Sequence, residues 1–181
     1  AGVRLLEVTF DRGRTPEANA ARVALVVRLG LPGLRVGAGT VLTPDEVTAA
    51  ADAGAEFVLS PDTREQVIRA TKRLGLFSIP GALTPSEVGR AHDAGADVVK
   101  IFPAALLGPG YLRELHGPLP DVAFCAVGGV SVANARAFLD GGAVCVGVGS
   151  ALLPRASDGT IDLPAVTQSA TALLGVAHAD R

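Results

Sequence analysis

Cysteine is nearly absent from the 181-residue sequence: Cys125 and Cys145 stand alone, with no CxxC pair and no histidine at ligand spacing. A disulfide scaffold and a structural zinc site therefore have no support, and free thiols in apolar strand-like runs, in a reducing cytosol, are the expectation. Methionine is missing altogether. The natural start is accordingly expected to have been removed or to lie outside the sequence, and no signal peptide is visible. Long apolar runs are missing too, since uncharged stretches such as Gly141–Pro154, with 14 residues, fall short of the ~20 that a membrane-spanning helix requires. Blocks of like charge are also lacking. The 16 basic and 18 acidic residues are dispersed and sum to a net charge of −2, which leaves no electrostatic footprint for nucleic acid or an anionic membrane. Small-molecule or protein partners are expected instead.

What is present is an internal repeat. Thr43-Pro44-Asp45-Glu46-Val47 leads to Asp52-Ala53-Gly54-Ala55-Glu56-Phe57-Val58, and 41 residues later Thr84-Pro85-Ser86-Glu87-Val88 leads to Asp93-Ala94-Gly95-Ala96-Asp97-Val98-Val99. Each copy carries a helix start, with threonine as N-cap, proline at the first helical position and glutamate at the third, then a glycine stop before a β-branched strand. A weaker third copy runs from Ser131 through Asn134 to Asp140-Gly141-Gly142-Ala143-Val144. Short apolar runs predict seven strands, near 5–10, 35–40, 57–61, 77–80, 98–102, 123–127 and 144–148. Helices are predicted near 16–29, 44–53, 64–74, 85–94, 110–116, 132–140 and 163–174. Strict β-then-α alternation within one domain over residues 1–181 predicts a parallel α/β fold, and the repeat favours a TIM (β/α)8 barrel. A barrel of this class needs eight strands, and Ala1-Gly2-Val3-Arg4-Leu5-Leu6 matches the helix-exit part of the repeat. A first strand and helix of about 25 residues is therefore expected to be missing from this sequence.

Lys100 stands inside the strand-like run Val98-Val99-Lys100-Ile101-Phe102-Pro103. An isolated lysine there reads most simply as one that snorkels from a strand end or pairs with a buried carboxylate. The other reading is chemical: desolvation disfavours the ammonium form, and a neutral amine is a nucleophile toward carbonyls. Glu7 shares a strand face with Leu5 and Thr9, opposite Leu6 and Val8, so it is expected to point into a barrel when those two face helices. Imine chemistry needs a proton shuttle beside the amine, which an inward carboxylate supplies. Thr40 ends Gly37-Ala38-Gly39-Thr40 with a hydroxyl, and Ser78-Ile79-Pro80-Gly81 forms another glycine-bearing strand end. Gly128-Gly129 and Gly149-Ser150 follow the last two strands, where backbone amides ahead of a helix commonly bind phosphate in barrels; relief of crowding at strand ends is the simpler alternative.

These residues together resemble the class I 2-dehydro-3-deoxy-phosphogluconate and phosphogalactonate aldolases (the KDPG/KHG aldolase family). The resemblance rests on Leu6-Glu7-Val8-Thr9, Gly37-Ala38-Gly39-Thr40-Val41, Pro80-Gly81, Lys100-Ile101-Phe102-Pro103, Gly128-Gly129-Val130 and Gly149-Ser150, in the family's order and spacing. It implies an eight-stranded barrel that assembles as a homotrimer in the cytoplasm, with no cofactor and no metal. It further implies Lys100 as the Schiff-base lysine and Glu7 as the acid/base, with Thr40, Pro80 and Phe102 lining a pyruvate pocket. Gly128, Gly129, Gly149 and Ser150 are implied as the phosphate site. Two positions depart. Where many gluconate-type members have arginine four residues after the glutamate, this chain has Asp11 with Arg12 beside it, so Arg12 becomes the candidate for the substrate contact. Where they have threonine before the glycine pair, this chain has Val127, similar to the galactonate-type branch. The implied reaction cleaves a phosphorylated 2-keto-3-deoxy sugar acid to pyruvate and glyceraldehyde 3-phosphate. A phosphosugar epimerase or isomerase, and a non-catalytic phosphosugar-binding barrel, are the alternatives on the same scaffold.

Overall fold

The two copies of the repeat fold as their capping residues dictate. Thr43 and Thr84 are extended, and their side chains accept the N–H of Glu46 and Glu87, while Pro44 and Pro85 open the helices α2 (Pro44–Asp52) and α4 (Pro85–Asp93). Both helices stop at glycines in the left-handed region, Gly54 at φ 87° and Gly95 at φ 101°. There the N–H of the following alanine bonds back to the helix, Ala55 to the Ala50 carbonyl at 3.0 Å and Ala96 to the Ala91 carbonyl at 3.0 Å. This is the Schellman-type closure that a residue without a Cβ permits at no steric cost.

The computed structural model describes residues 2–156 and 158–178. It divides into two compact units, one from Arg4 to Lys100 and one from Ile101 onward together with the first residues of the chain. In the first unit, β1 (Leu5–Thr9), β2 (Arg35–Gly39), β3 (Phe57–Leu59) and β4 (Phe77–Ile79) form a parallel sheet in sequence order. Helices α1 (Pro16–Val27), α2 and α3 (Glu65–Arg73) follow the first three strands. The core against them holds Val36, Ala38 and Val58 from the strands with Val23, Val47, Ala50, Val67 and Ala70 from the helices, and Val8 packs at its edge. The sheet therefore turns its even positions in β1 and β2 toward the helices. Glu7, Gly37 and Gly39 lie on the other face.

The fourth strand stops one residue short of its predicted end. β4 ends at Ile79, and β5 (Gly81–Ala82), a separate strand that belongs to another sheet, begins after Pro80. Proline has no N–H to give to a ladder, so the break falls where the chemistry requires it. β6 (Val99–Ile101) is the strand of Lys100.

In the second unit, the short helix α5 (Ala104–Leu107), which the apolar pattern did not reveal, precedes α6 (Pro109–His116). Strands β7 (Phe124–Val127) and β8 (Ala143–Gly147) pair in parallel, with Cys125 opposite Cys145, and neither cysteine is in a disulfide. The third copy of the repeat lacks the Thr-Pro start, and its helix α7 (Ala135–Asp140) begins three residues later than the sequence suggests. Asn134 Oδ1 accepts the Ser131 N–H at 2.8 Å instead, so the segment 131–134 is spent in a turn. A 3-10 turn (Ser150–Leu152) and α8 (Leu163–His178) complete the unit. No helix among the described residues is long and apolar enough to cross a membrane.

Candidate active site

Lys100 occupies the middle of β6 and is buried, with 6% of its surface exposed. Its neighbours Val99 and Ile101 are each 1% exposed, and strand alternation turns them to the opposite face from the lysine. The Lys100 N–H donates to the Pro80 carbonyl at 2.8 Å. Pro80 is itself buried. The residue that stops the fourth strand thus still supplies the acceptor that sets the register of the lysine strand. The sequence contains only one other lysine. That one, Lys72, is exposed, with Nζ 2.6 Å from both oxygens of Asp97.

Glu7 lies at the centre of β1, opposite Gly37 in register. Its side chain runs over Gly39: a Cβ built on that glycine would meet Glu7 Oε1 at 1.5 Å, Cδ at 2.2 Å and Cγ at 2.6 Å. The glycine is therefore required by the carboxylate and not by the backbone, which is ordinary strand there. Thr9 Oγ1 donates to Glu7 Oε1 at 3.2 Å. Glu7 is solvent-exposed. Gly37 has a different reason: its Cβ would fall 2.1 Å from the buried Phe57 ring.

Thr40 follows β2 with φ 58°, the one non-glycine residue with positive φ among the described residues. A β-branched residue in that region carries steric strain that surrounding contacts must hold. Its carbonyl accepts Arg12 Nη1 at 3.3 Å, and the same Nη1 reaches Glu46 Oε1 at 2.6 Å. Asp11, at the position of the departure, does not face this cluster. Its carboxylate accepts the Gly13 N–H at 2.9 Å and Arg14 Nε at 3.1 Å, while its backbone exchanges two bonds with the buried Asn19 side chain. The Gly13 bond, with help from Arg14, holds the Asp11 carboxyl below its usual range. Asp11 thus shapes the loop that presents Arg12. Glu46 was read from sequence only as a helix-start residue, and the chemistry of its carboxylate was not legible there.

The glycine pairs belong to the second unit. Gly128 (φ 91°) and Gly129 (φ 73°) follow β7 in the left-handed region. The Gly128 carbonyl accepts the Ala105 N–H at 3.0 Å and the Gly129 carbonyl accepts Asn134 Nδ2 at 3.0 Å, so both carbonyls are tied into the protein. Among the described residues, the N–H groups of Gly128, Gly129, Gly149 and Ser150 donate to no backbone carbonyl outside the strands and helices. Phe102 and Pro103 pack on Gly128, where a Cβ would meet Phe102 Cδ2 and Pro103 Cα at 3.0 Å. Val127 ends β7 with Cγ2 2.9 Å from the Cβ position of Gly147. Gly149 and Ser150 are exposed.

The sequence family described as KDPG and KHG aldolase matches residues 1–168. The chain belongs to the KDPG and KHG aldolase family. A 2-dehydro-3-deoxy-6-phosphogalactonate aldolase of Escherichia coli (strain K12) is 37% identical over 153 residues, covering 84% of this chain and 73% of the relative. A 2-dehydro-3-deoxy-phosphogluconate aldolase of Pseudomonas aeruginosa is 40% identical over 127 residues, covering 69% of this chain, which spans 57% of that relative's length. A crystal structure of KDPG aldolase from Legionella pneumophila, with pyruvate captured as a covalent carbinolamine, has a TM-score of 0.75 and 30% identity, over 98% of this chain and 81% of that one. The fold class is thus that of the family's α/β TIM-type barrels, and members of the KDPG and KHG aldolase family are lyases.

Proposed function

We propose that this chain is a class I aldolase that cleaves a 2-keto-3-deoxy-6-phosphosugar acid, of the phosphogluconate or phosphogalactonate type, to pyruvate and glyceraldehyde 3-phosphate. The observation that carries the reading is Lys100, a buried amine at the centre of a strand with 6% exposure, within the family's lysine motif. Its Nζ attacks the C2 ketone to give a carbinolamine, and loss of water gives a protonated imine. The imine takes up the electron pair of the breaking C3–C4 bond, the aldehyde departs, and the remaining enamine is protonated at C3 and hydrolysed to pyruvate. Glu7, directly or through water, moves the protons, a role worth ~10²–10⁴ in rate. The iminium is the electron sink, so the reaction draws on no metal or cofactor.

Thr40, Pro80, Phe102, Val127 and Arg12 are assigned to the keto acid. The amides of Gly128, Gly129, Gly149 and Ser150 are assigned to the phosphate, because glycines free of a Cβ let an anion approach backbone N–H groups. The match through residues 1–168 supports reading the chain as one aldolase-type domain. A cytoplasmic homotrimer, with no nucleic-acid or membrane partner, completes the proposal; Cys125 and Cys145 without a disulfide fit a reducing compartment. The test is pyruvate release from the two C4-epimeric substrates, with wild type and Lys100→Ala side by side. Release by the wild type on at least one epimer and its loss in the variant is the expected result. Full activity in Lys100→Ala rules the mechanism out.

A further inference from the structure

Among the described residues of the first unit, Glu46 is the one buried carboxylate, and it makes a contact that helix capping does not require. It is buried, with 4% exposure. One oxygen accepts the Leu42 N–H at 2.6 Å and the other accepts Arg12 Nη1 at 2.6 Å. A buried carboxylate is retained only where both oxygens are matched, and here one match fixes the strand-to-helix loop and the other fixes a guanidinium from a different loop. Capping alone needs only the first.

Arg12 Nη1 is consumed by Glu46 and by the Thr40 carbonyl at 3.3 Å. Among the described residues, Nη2 and Nε have no hydrogen-bond partner, and the side chain is 49% exposed. One edge of the guanidinium is thus pinned and the other is presented as a planar pair of donors, the arrangement that takes a carboxylate by two parallel bonds. The pinned Nη1 is anchored to the carbonyl of Thr40, the residue directly after Gly39, across which Glu7 lies. The glycine under the Glu7 side chain and the carbonyl that holds Arg12 therefore belong to adjacent residues.

We infer that Glu46 is a positioning residue for the keto acid's carboxylate: it holds Arg12 so that the open edge of the guanidinium receives that group beside Thr40. The inference rests on the aldolase reading and assigns a residue that acts through another. Asp11 is its complement. By turning the loop through Gly13 and Arg14 it directs Arg12, and not itself, toward Thr40. An opposite reading follows from charge alone, in which the Glu46 carboxylate neutralises Arg12 and withdraws it from any anion. The two readings differ in the sign of the effect on affinity.

The experiment measures the concentration of pyruvate that half-saturates borohydride inactivation, in wild type, Glu46→Gln, Glu46→Ala and Arg12→Gln. Hydroxyacetone, a ketone without the carboxylate, serves as the comparison probe. Positioning predicts a rise of about tenfold or more for pyruvate in Arg12→Gln and Glu46→Ala, a smaller rise in the isosteric Glu46→Gln, and less than a twofold change for hydroxyacetone. Glu46→Ala and Arg12→Gln combined should be no worse than either alone, because one removes what the other orients. Should Glu46→Ala fail to fold, Glu46→Gln and the half-exposed Arg12→Gln still decide the matter, with thermal unfolding recorded for each. Tighter pyruvate in the Glu46 variants, unchanged pyruvate, or an equal loss for hydroxyacetone overturns the inference while leaving the aldolase reading intact. Absence of any inactivation in the wild type overturns both.

Discussion

A methyl group added at Gly39 separates the role of Glu7 from everything else that β1 and β2 do. The backbone there is ordinary strand, so alanine meets no conformational obstacle, and its Cβ would lie 1.5 Å from Glu7 Oε1. Heavy atoms settle at about 3.5–4.0 Å, so the carboxylate must retreat by roughly 2 Å. It has room to do so, because Glu7 is exposed to solvent. The cost to stability is therefore small: Gly39→Ala loses some side-chain contact and gains about 0.4–1 kcal/mol from the stiffer unfolded chain. A shift in Tm under ~4 °C is expected for a chain of this size. The cost to catalysis is large, because a misplacement of about 1 Å already costs ~10² in rate and the acid/base contribution spans ~10²–10⁴. Gly37→Ala is the control: its methyl would fall 2.1 Å from the buried Phe57 ring, and overpacking of that kind costs ~1–3 kcal/mol. Coupled pyruvate-release assays with thermal unfolding on both variants give the comparison. The expected pattern is a stable, slow Gly39→Ala and a less stable Gly37→Ala. An undiminished kcat in Gly39→Ala refutes the assignment of Glu7.

Three further outcomes follow from other parts of the chain. Gly129→Ala places a methyl 2.5 Å from Ala105 Cβ at φ 73°, and it should raise KM for the phosphorylated substrate by about tenfold while changing half-saturation by pyruvate less than twofold; equal loss for both excludes a phosphate role. Glu87 accepts the N–H groups of Leu83 and Thr84, chiefly the former, and these bonds hold its carboxyl below the ordinary 4.5. A depressed folded value stabilises above the unfolded one, so the Tm deficit of Glu87→Gln should be full at pH 7 and shrink as pH falls below 4.5, and a deficit that is independent of pH contradicts the cause. Asp97→Ala leaves the Ser78 N–H, held by Asp97 Oδ2 at 2.7 Å, without its side-chain acceptor, and should cost about 1–3 kcal/mol in denaturant unfolding; a loss under ~0.5 kcal/mol shows that water replaces the carboxylate.

Much of the fold was legible because capping and stop residues act locally. Threonine, proline and glutamate at fixed offsets, with glycine at the end, specify α2 and α4 almost to the residue, since each satisfies a particular orphan group of the helix terminus. The face of Glu7 was legible for a similar reason: period-two alternation requires only that Val8 be recognised as core. What escaped was set by tertiary contacts. The short helix α5 has no periodicity to detect in four residues, and the left-handed Thr40 violates the preference for glycine that sequence reading relies on. Glu46 looked like one more member of a helix start, because its reach to an arginine 34 residues earlier leaves no local trace. The departure at Asp11 resolved only when Gly13, Arg14 and Asn19 were seen to occupy it.

The chain's two lysines make the covalent step unusually easy to locate. Lys72 is an exposed ammonium gripped by Asp97 at 2.6 Å, whereas Lys100 is buried in β6. Borohydride reduction in the presence of pyruvate, followed by proteolysis and peptide mass mapping, reads which of the two has formed an imine. The account predicts a stable adduct on Lys100 with Lys72 unmodified. An adduct on Lys72 alone, or none on either residue at saturating pyruvate, contradicts it.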